Sequence, residues 1–235
     1  MLTKNLFYYI AFIVIVFNIA IRICPGKFIS ITKFGYAKTY DLKVIPREIF
    51  TYCDVYLLIM FLIIIFFFIG KDFNNSMEEL TLCIGGSKIN KFMVKKLFVI
   101  MSIHVSLYLI TFINIYSIFL KFNNSYSKIM PLKEIIFYSI TTNIFIISLG
   151  LFILFFTRDI AITTILITSY YFIEEALWRC KVTQQRGILA HLYQYEGYGA
   201  EYMVKTKLIY LGISVMLLLI TYNLSSRKRI FAIKK

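Results

Sequence analysis

Six apolar stretches, residues 6–23, 52–69, 97–120, 135–156, 160–173 and 208–224, decide what this chain can become. A helix needs about 20 apolar residues to cross a hydrocarbon core ~30 Å thick. Each stretch meets or approaches that length, so the sequence predicts six membrane-crossing helices. The fifth is the shortest and covers about 21 Å at 1.5 Å per residue. Its helix is expected to run on through Glu174 and Glu175 to Trp178.

Composition enforces the same class. Of 235 residues, 60% are hydrophobic and only 16% charged, against about 45–50% and about 25% in an ordinary globular domain. Such a chain lacks the polar residues to cover a water-exposed surface. This excludes a soluble enzyme, a nucleic-acid-binding module and a disordered tail, so nucleic acid is not an expected partner. The net charge of +14 is assigned to the lipid surface, where Lys and Arg beside a span gain about 1 kcal/mol each from anionic headgroups. Usage rich in Ile, Lys, Asn, Phe and Tyr is in keeping with a bacterial source, which places the chain as a multi-pass protein of the cytoplasmic membrane. No soluble domain stands between the stretches, so residues 1–235 read as one integral unit.

The first stretch is not expected to be a cleaved signal: it lacks a small-residue cleavage site, and Ile23 before Cys24 is wrong for a lipoprotein-type site. The four cysteines, Cys24, Cys53, Cys83 and Cys180, have no metal-ligand spacing, and two histidines cannot complete a site of the Cys/His type. No metal or cofactor is expected on this chain. A Cys24–Cys180 bridge is conceivable, but sequence cannot assign one.

Six spans put both termini on one side. Counting all Lys and Arg leaves that side open, because the two sets of segments carry similar numbers. The dense clusters at 88–96 and 227–235 lie close to span ends, where the positive-inside rule applies, and they lean towards the cytoplasm.

The segment between the second and third stretches carries the most specific pattern, GKDFNNSMEELTLCIGGSKINKFMVKK at 70–96. Ser76 and Glu79 form a capping box, in which each side chain satisfies an orphan backbone donor of the other. Met77, Leu80 and Ile84 make one apolar stripe. Glu78 and Glu79 sit in the first turn, where the helix dipole favours negative charge. Gly85 and Gly86 supply the stop. A short surface helix over 76–85 with both ends defined is the expectation, serving either as an interfacial anchor or as a docking element.

This helix, its Glu-Glu-Leu start, its small-residue stop and the Lys-rich entry into the third span resemble the coupling helix of type-2 ABC transporter permeases. The six-span layout is similar to theirs over the whole chain. The resemblance implies an all-α polytopic membrane protein with six transmembrane helices, a short cytoplasmic coupling helix and an external hairpin between spans five and six. It implies cytoplasmic termini and contact of Ser76, Met77, Glu78, Glu79, Leu80, Ile84 and Gly85 with a separate ABC ATPase in two copies. It also implies pairing with a second permease copy or a similar permease. ATP and Mg would sit on the partner subunit. In agreement, the chain has no G-x-x-x-x-G-K-[ST] phosphate loop. The implied cargo is a hydrophobic or amphipathic peptide, an antimicrobial or a lipid-like molecule.

An enzyme reading competes. EEALWR at 174–179 matches the EExxxR pattern of CAAX-type intramembrane proteases, where a glutamate would activate water and histidines would follow on later spans. The two later histidine motifs are missing: His191 has Gly187 where Phe is needed, and His104 lies upstream with Tyr108 four residues on. In the transporter reading Glu174, Glu175 and Arg179 start the external hairpin, which runs to Lys207. There water screens them, and a Glu175–Arg179 pair contributes about 0–1 kcal/mol.

Polar residues within the stretches line a cavity or join helices. Ser and Thr suit helix–helix hydrogen bonds, whereas His104, Asn114 and Asn143 are the cavity candidates. Gly150 and Gly212 are expected at close helix approaches.

Overall fold

The computed structural model describes residues 2–28, 49–74, 86–122, 132–179 and 200–226. Among them the chain is helical throughout: α1 (Leu2–Ile23), the single turn α2 (Pro25–Phe28), a π-helical segment (Phe50–Leu57) continuing into α3 (Leu58–Asn74), α4 (Gly86–Phe122), α5 (Leu132–Thr157), α6 (Ile160–Arg179) and α7 (Ala200–Ser226). The six expected apolar stretches all lie on helices. Among the described residues, four helices are long and apolar enough to cross a membrane, over Thr51–Gly70, Val94–Ile118, Leu132–Thr157 and Val204–Leu224, and Tyr8–Ile23 and Ile160–Glu174 are further apolar parts of α1 and α6.

α5 is the hub. It packs against α3, α6, α7 and the π-helical segment, while α1 lies on α4. One apolar cluster joins α3, α5 and α6 through Leu58, Ile65, Phe145, Leu151 and Ile167. A second joins α1, the π-helical segment, α4 and α5 through Ile21, Cys53, Phe112, Ile115 and Tyr138. The outward faces are apolar too: Phe12 and Ile19 on α1, Phe98 and Ile113 on α4, and Met216 and Leu219 on α7 are exposed. A helix with apolar residues all round suits a lipid surround, where the outer face has no water to meet.

Two glycines set helix spacing. A Cβ on Gly70 would collide with the Ile160 side chain, and one on Gly150 would stand 3.0 Å from the Phe66 ring. Gly212, expected at a close approach, instead has nothing within 4 Å of a built Cβ and is exposed on α7. The expectation fails there because α7 turns that side away from the bundle.

α5 and α6 reverse direction across Arg158 and Asp159. The Arg158 N–H donates to Leu154 O at 2.8 Å and Arg158 has φ 55°, a left-handed stop to α5. The Asp159 carboxylate then accepts from the N–H of Ala161 at 2.7 Å and of Ile162 at 3.0 Å, capping α6. Asp159→Ala should lower stability by about 1 kcal/mol, and a detergent unfolding titration is the check.

Candidate functional site

The helix hairpins bring one end of the π-helical segment, α5, α6 and α7 and the middle of α4 together, and there the bundle buries its polar groups. Asp54, Glu174 and Lys207 are 0%, 2% and 0% exposed. Ionisable groups inside a span are expensive and mark functional positions by default.

Asp54 is the acceptor at the centre. Ser139 Oγ donates to its Oδ1 at 2.5 Å, and Asn143 Nδ2 donates to the same oxygen at 2.7 Å. Directions follow from these two bonds. Ser139 has spent its proton on Asp54, so Tyr108 Oη, 2.5 Å away, donates to Ser139. Asn143 has turned its NH₂ to Asp54, so its Oδ1 accepts from His104 Nε2 at 3.3 Å, which places a proton on Nε2. His104 stacks on Phe61 with ring centroids 4.0 Å apart. Two branches from α4 therefore converge through α5 on one carboxylate, and all donors point towards it.

Glu174 and Lys207 form the other half. Glu174 Oε1 accepts from Tyr170 Oη at 2.6 Å and from Tyr210 Oη at 3.3 Å. Lys207 Nζ donates to Thr142 Oγ1 at 3.0 Å, and its charge acts on both Asp54 and Glu174. Thr142 and Asn143 are adjacent on α5, so that helix connects the two halves.

A groove of about 110 Å³ runs between α3 and α6 with Asp54 among its lining residues. The rest is apolar except for Thr164, Thr168 and Tyr171 on α6.

The sequence candidates separate in this setting. His104 and Asn143 meet each other and reach Asp54. Asn114 belongs elsewhere: its Nδ2 donates to Asn18 O at 2.9 Å, and Asn18 Nδ2 donates to Thr111 Oγ1 at 2.9 Å, so it ties α1 to α4. None of the three lines the groove. Ser76, Met77, Glu78, Glu79, Leu80, Ile84 and Gly85 lie outside the described residues, as do Cys83 and Cys180, while Cys24 and Cys53 are free thiols. Glu175 and Arg179 follow Glu174 on α6, which reaches Arg179 as expected.

Two expectations need correction. Glu174 is not screened by water at a boundary, because Tyr170 and Tyr210 enclose its carboxyl. Lys207 does not close an external hairpin, because α7 begins at Ala200 and carries it into the bundle. His104 contacts Asn143, Phe61 and Tyr108 and does not meet Glu174. Among the described residues no three His, Cys, Asp or Glu side chains come together as a metal site.

Sequence reasoning missed Asp54 and Lys207. Asp54 had a signal: between Phe50 and Gly70 it is the only charged residue. Lys207 had a weaker one. Thr206, Lys207, Tyr210, Ser214 and Thr221 fall on one helical stripe and are buried, whereas Leu208, Ile209, Met216 and Leu219 are exposed. A polar stripe turned inward is the reverse of the soluble pattern and suits a helix in lipid. In comparisons with known proteins, the chain matches no family model, no curated protein and no solved structure.

Proposed function

We propose that this chain is the membrane-spanning permease subunit of an ATP-driven exporter of the type-2 ABC kind, working in a bacterial cytoplasmic membrane. It moves a hydrophobic or amphipathic peptide, an antimicrobial or a lipid-like molecule. The observation that carries the reading is the length of α4, which starts well ahead of its apolar stretch at 97–120. α4 begins at Gly86, eleven positions before Leu97. At 1.5 Å per residue, this extension is about 16 Å. It carries Lys88, Lys91, Lys95 and Lys96. Segment 75–85, with the capping box and apolar stripe of its sequence, connects α3 to that Lys-rich start of α4, which supports reading it as a docking element for a soluble partner.

Two copies of a separate ATPase would bind ATP and Mg and close on each other. Their closure would push segment 75–85 of this chain and of a second permease, and rigid-body tilting of the helices would open the outward path. The buried Asp54–Lys207–Glu174 cluster lies towards the opposite end and holds α5, α6, α7 and the π-helical segment in register during that tilt.

Leu80→Asp with Ile84→Asp should abolish co-purification of an ATPase with the chain in detergent while leaving membrane insertion intact. Survival of the complex would overturn the docking role of this segment. Peptide cleavage by the chain alone, lost in Glu174→Gln, would replace the transport reading with the protease one.

A further inference from the structure

α1 and α4 run side by side in the same direction. Asn18 meets Thr111 and Asn114, and one turn further along Arg22 Nη1 donates to Ser117 Oγ at 2.8 Å. Ser117 has given its own proton to Asn114 O, so it receives the guanidinium as an acceptor and fixes where that group lies. Arg22 is exposed, and its other guanidinium donors are left for a partner outside the bundle. Lys121 follows Ser117 by one turn on the same face of α4 and is exposed as well. Both cations stand where the apolar runs stop, Arg22 beside the end of Tyr8–Ile23 and Lys121 just past Ile118.

This end of the bundle is positive beyond what the helices themselves need. α1 ends at Ile23 and α4 at Phe122, and each helix end carries roughly half a negative charge, which one full cation exceeds. Two more cations stand nearby. α2 folds back on α1, with the Phe28 ring 5.7 Å from that of Phe17 and its carbonyl accepting from Tyr52 Oη at 2.8 Å, and so keeps exposed Lys27 at this end. α5 runs antiparallel to α4, since Tyr108 meets Ser139 and His104 meets Asn143. Exposed Lys133, in the first turn of α5, is therefore level with the last turns of α4. Among the described residues the acid here is half-buried Glu134.

Two exposed apolar rows lead away from the basic pair. On α1, Phe12, Ile15 and Ile19 share a face with Arg22. On α4, Ile110 and Ile113 share one with Ser117 and Lys121. The contact between Arg22 and Ser117 brings the two rows together under one cationic head. That arrangement matches a molecule with one anionic head and two hydrocarbon chains. We propose that the seam between α1 and α4 binds an anionic phospholipid of the bilayer, its phosphate held between Arg22 and Lys121 and its acyl chains laid along the two rows. Arg22 supplies the planar fork that fits phosphate oxygens, and Lys121 acts as a point charge. A zwitterionic lipid fits less well, because its own cation meets the same positive surroundings. α1 lies on α4, so the bound lipid straps that pair together. The site holds whatever the chain transports.

The experiment is native mass spectrometry of the delipidated full chain in detergent, titrated with palmitoyl-oleoyl phosphatidylglycerol or with phosphatidylcholine of the same chains. The expected result is one phosphatidylglycerol bound ahead of any further lipid, with phosphatidylcholine about tenfold weaker. Arg22→Gln with Lys121→Gln should bring phosphatidylglycerol down to the phosphatidylcholine level. Lys95→Gln with Lys205→Gln makes the same change in net charge at exposed positions elsewhere and should leave the preference intact. Should the first pair fail to fold, Lys121→Gln alone decides, and it should weaken phosphatidylglycerol binding severalfold. Equal binding of the two lipids to the wild-type chain would overturn the proposal. Equal loss in both double variants would do so too, since net charge and not the seam would then set the preference. Displacement of the lipid by an equal concentration of glycerol phosphate would overturn it as well and make this a site for free anions.

Discussion

Replacing Lys207 by Met is expected to lower the stability of the folded chain by about 3–5 kcal/mol, the usual loss when one partner leaves a buried charge cluster. Met keeps most of the volume, so little of the loss is a packing effect. What disappears is the ammonium that donates to Thr142 and acts on Asp54 and Glu174. Asp54 and Glu174 then both lose the buried ammonium that acts on them. The pairing itself contributes little net stability, since a well-packed apolar replacement of all three groups is often neutral or better. One-sided removal is what is unfavourable. Accordingly, Lys207→Met with Glu174→Gln should be more stable than Lys207→Met alone, with a coupling of about 0.5–3 kcal/mol in the double-mutant cycle. Unfolding in mixed micelles with increasing SDS is the measurement. A single variant as stable as the wild-type chain would show that position 207 reaches water.

The second large effect is steric. Gly150→Leu should cost about 1–3 kcal/mol by overpacking, because the added Cβ alone meets Phe66 Cζ at 3.0 Å and Leu62 Cδ2 at 3.3 Å. The remaining carbons would force α3 and α5 apart at the centre of the larger apolar cluster. Gly212→Leu is the matched control. Its Cβ meets nothing within 4 Å, and Leu is a better helix former than Gly by up to about 1 kcal/mol. It should therefore be neutral or slightly stabilising in the same titration. Equal loss in both variants would point to the helix backbone and not to the α3–α5 contact.

These two glycines show how far sequence reasoning reaches. Both stand in apolar runs, and nothing nearby distinguishes them, yet one fills a close approach and the other faces outward. The same holds for the polar residues. Asn114 and Asn143 are both asparagines within apolar helices, but Asn143 feeds Asp54 while Asn114 holds α1. Lys205 and Lys207 are two residues apart near the start of a span. Two helical positions differ by roughly 200° around the axis, so Lys205 is exposed and Lys207 is fully buried. Glu174 was legible as a carboxylate near a helix end, but its burial depends on Tyr210 arriving from another helix.

That the described residues are helical, and which stretches form the apolar helices, could be read directly from the order of residues. That decision is local: in an apolar surround a segment must pair its own backbone groups, and only the length and composition of the run matter. The turn at Arg158 and Asp159 is local as well, since its cap lies within three residues of the acceptor. Which side chains meet was decided by tertiary structure alone. Apolar side chains cover both the inner and the outer faces of these helices, so hydrophobicity does not tell inside from outside, and the angle each helix presents is set by its neighbours. The π-helical turn over Phe50–Leu57 adds its own shift, because its wider i→i+5 spacing re-phases every side chain it carries. Asp54 lies within that turn, at the meeting point of donors brought in from two other helices.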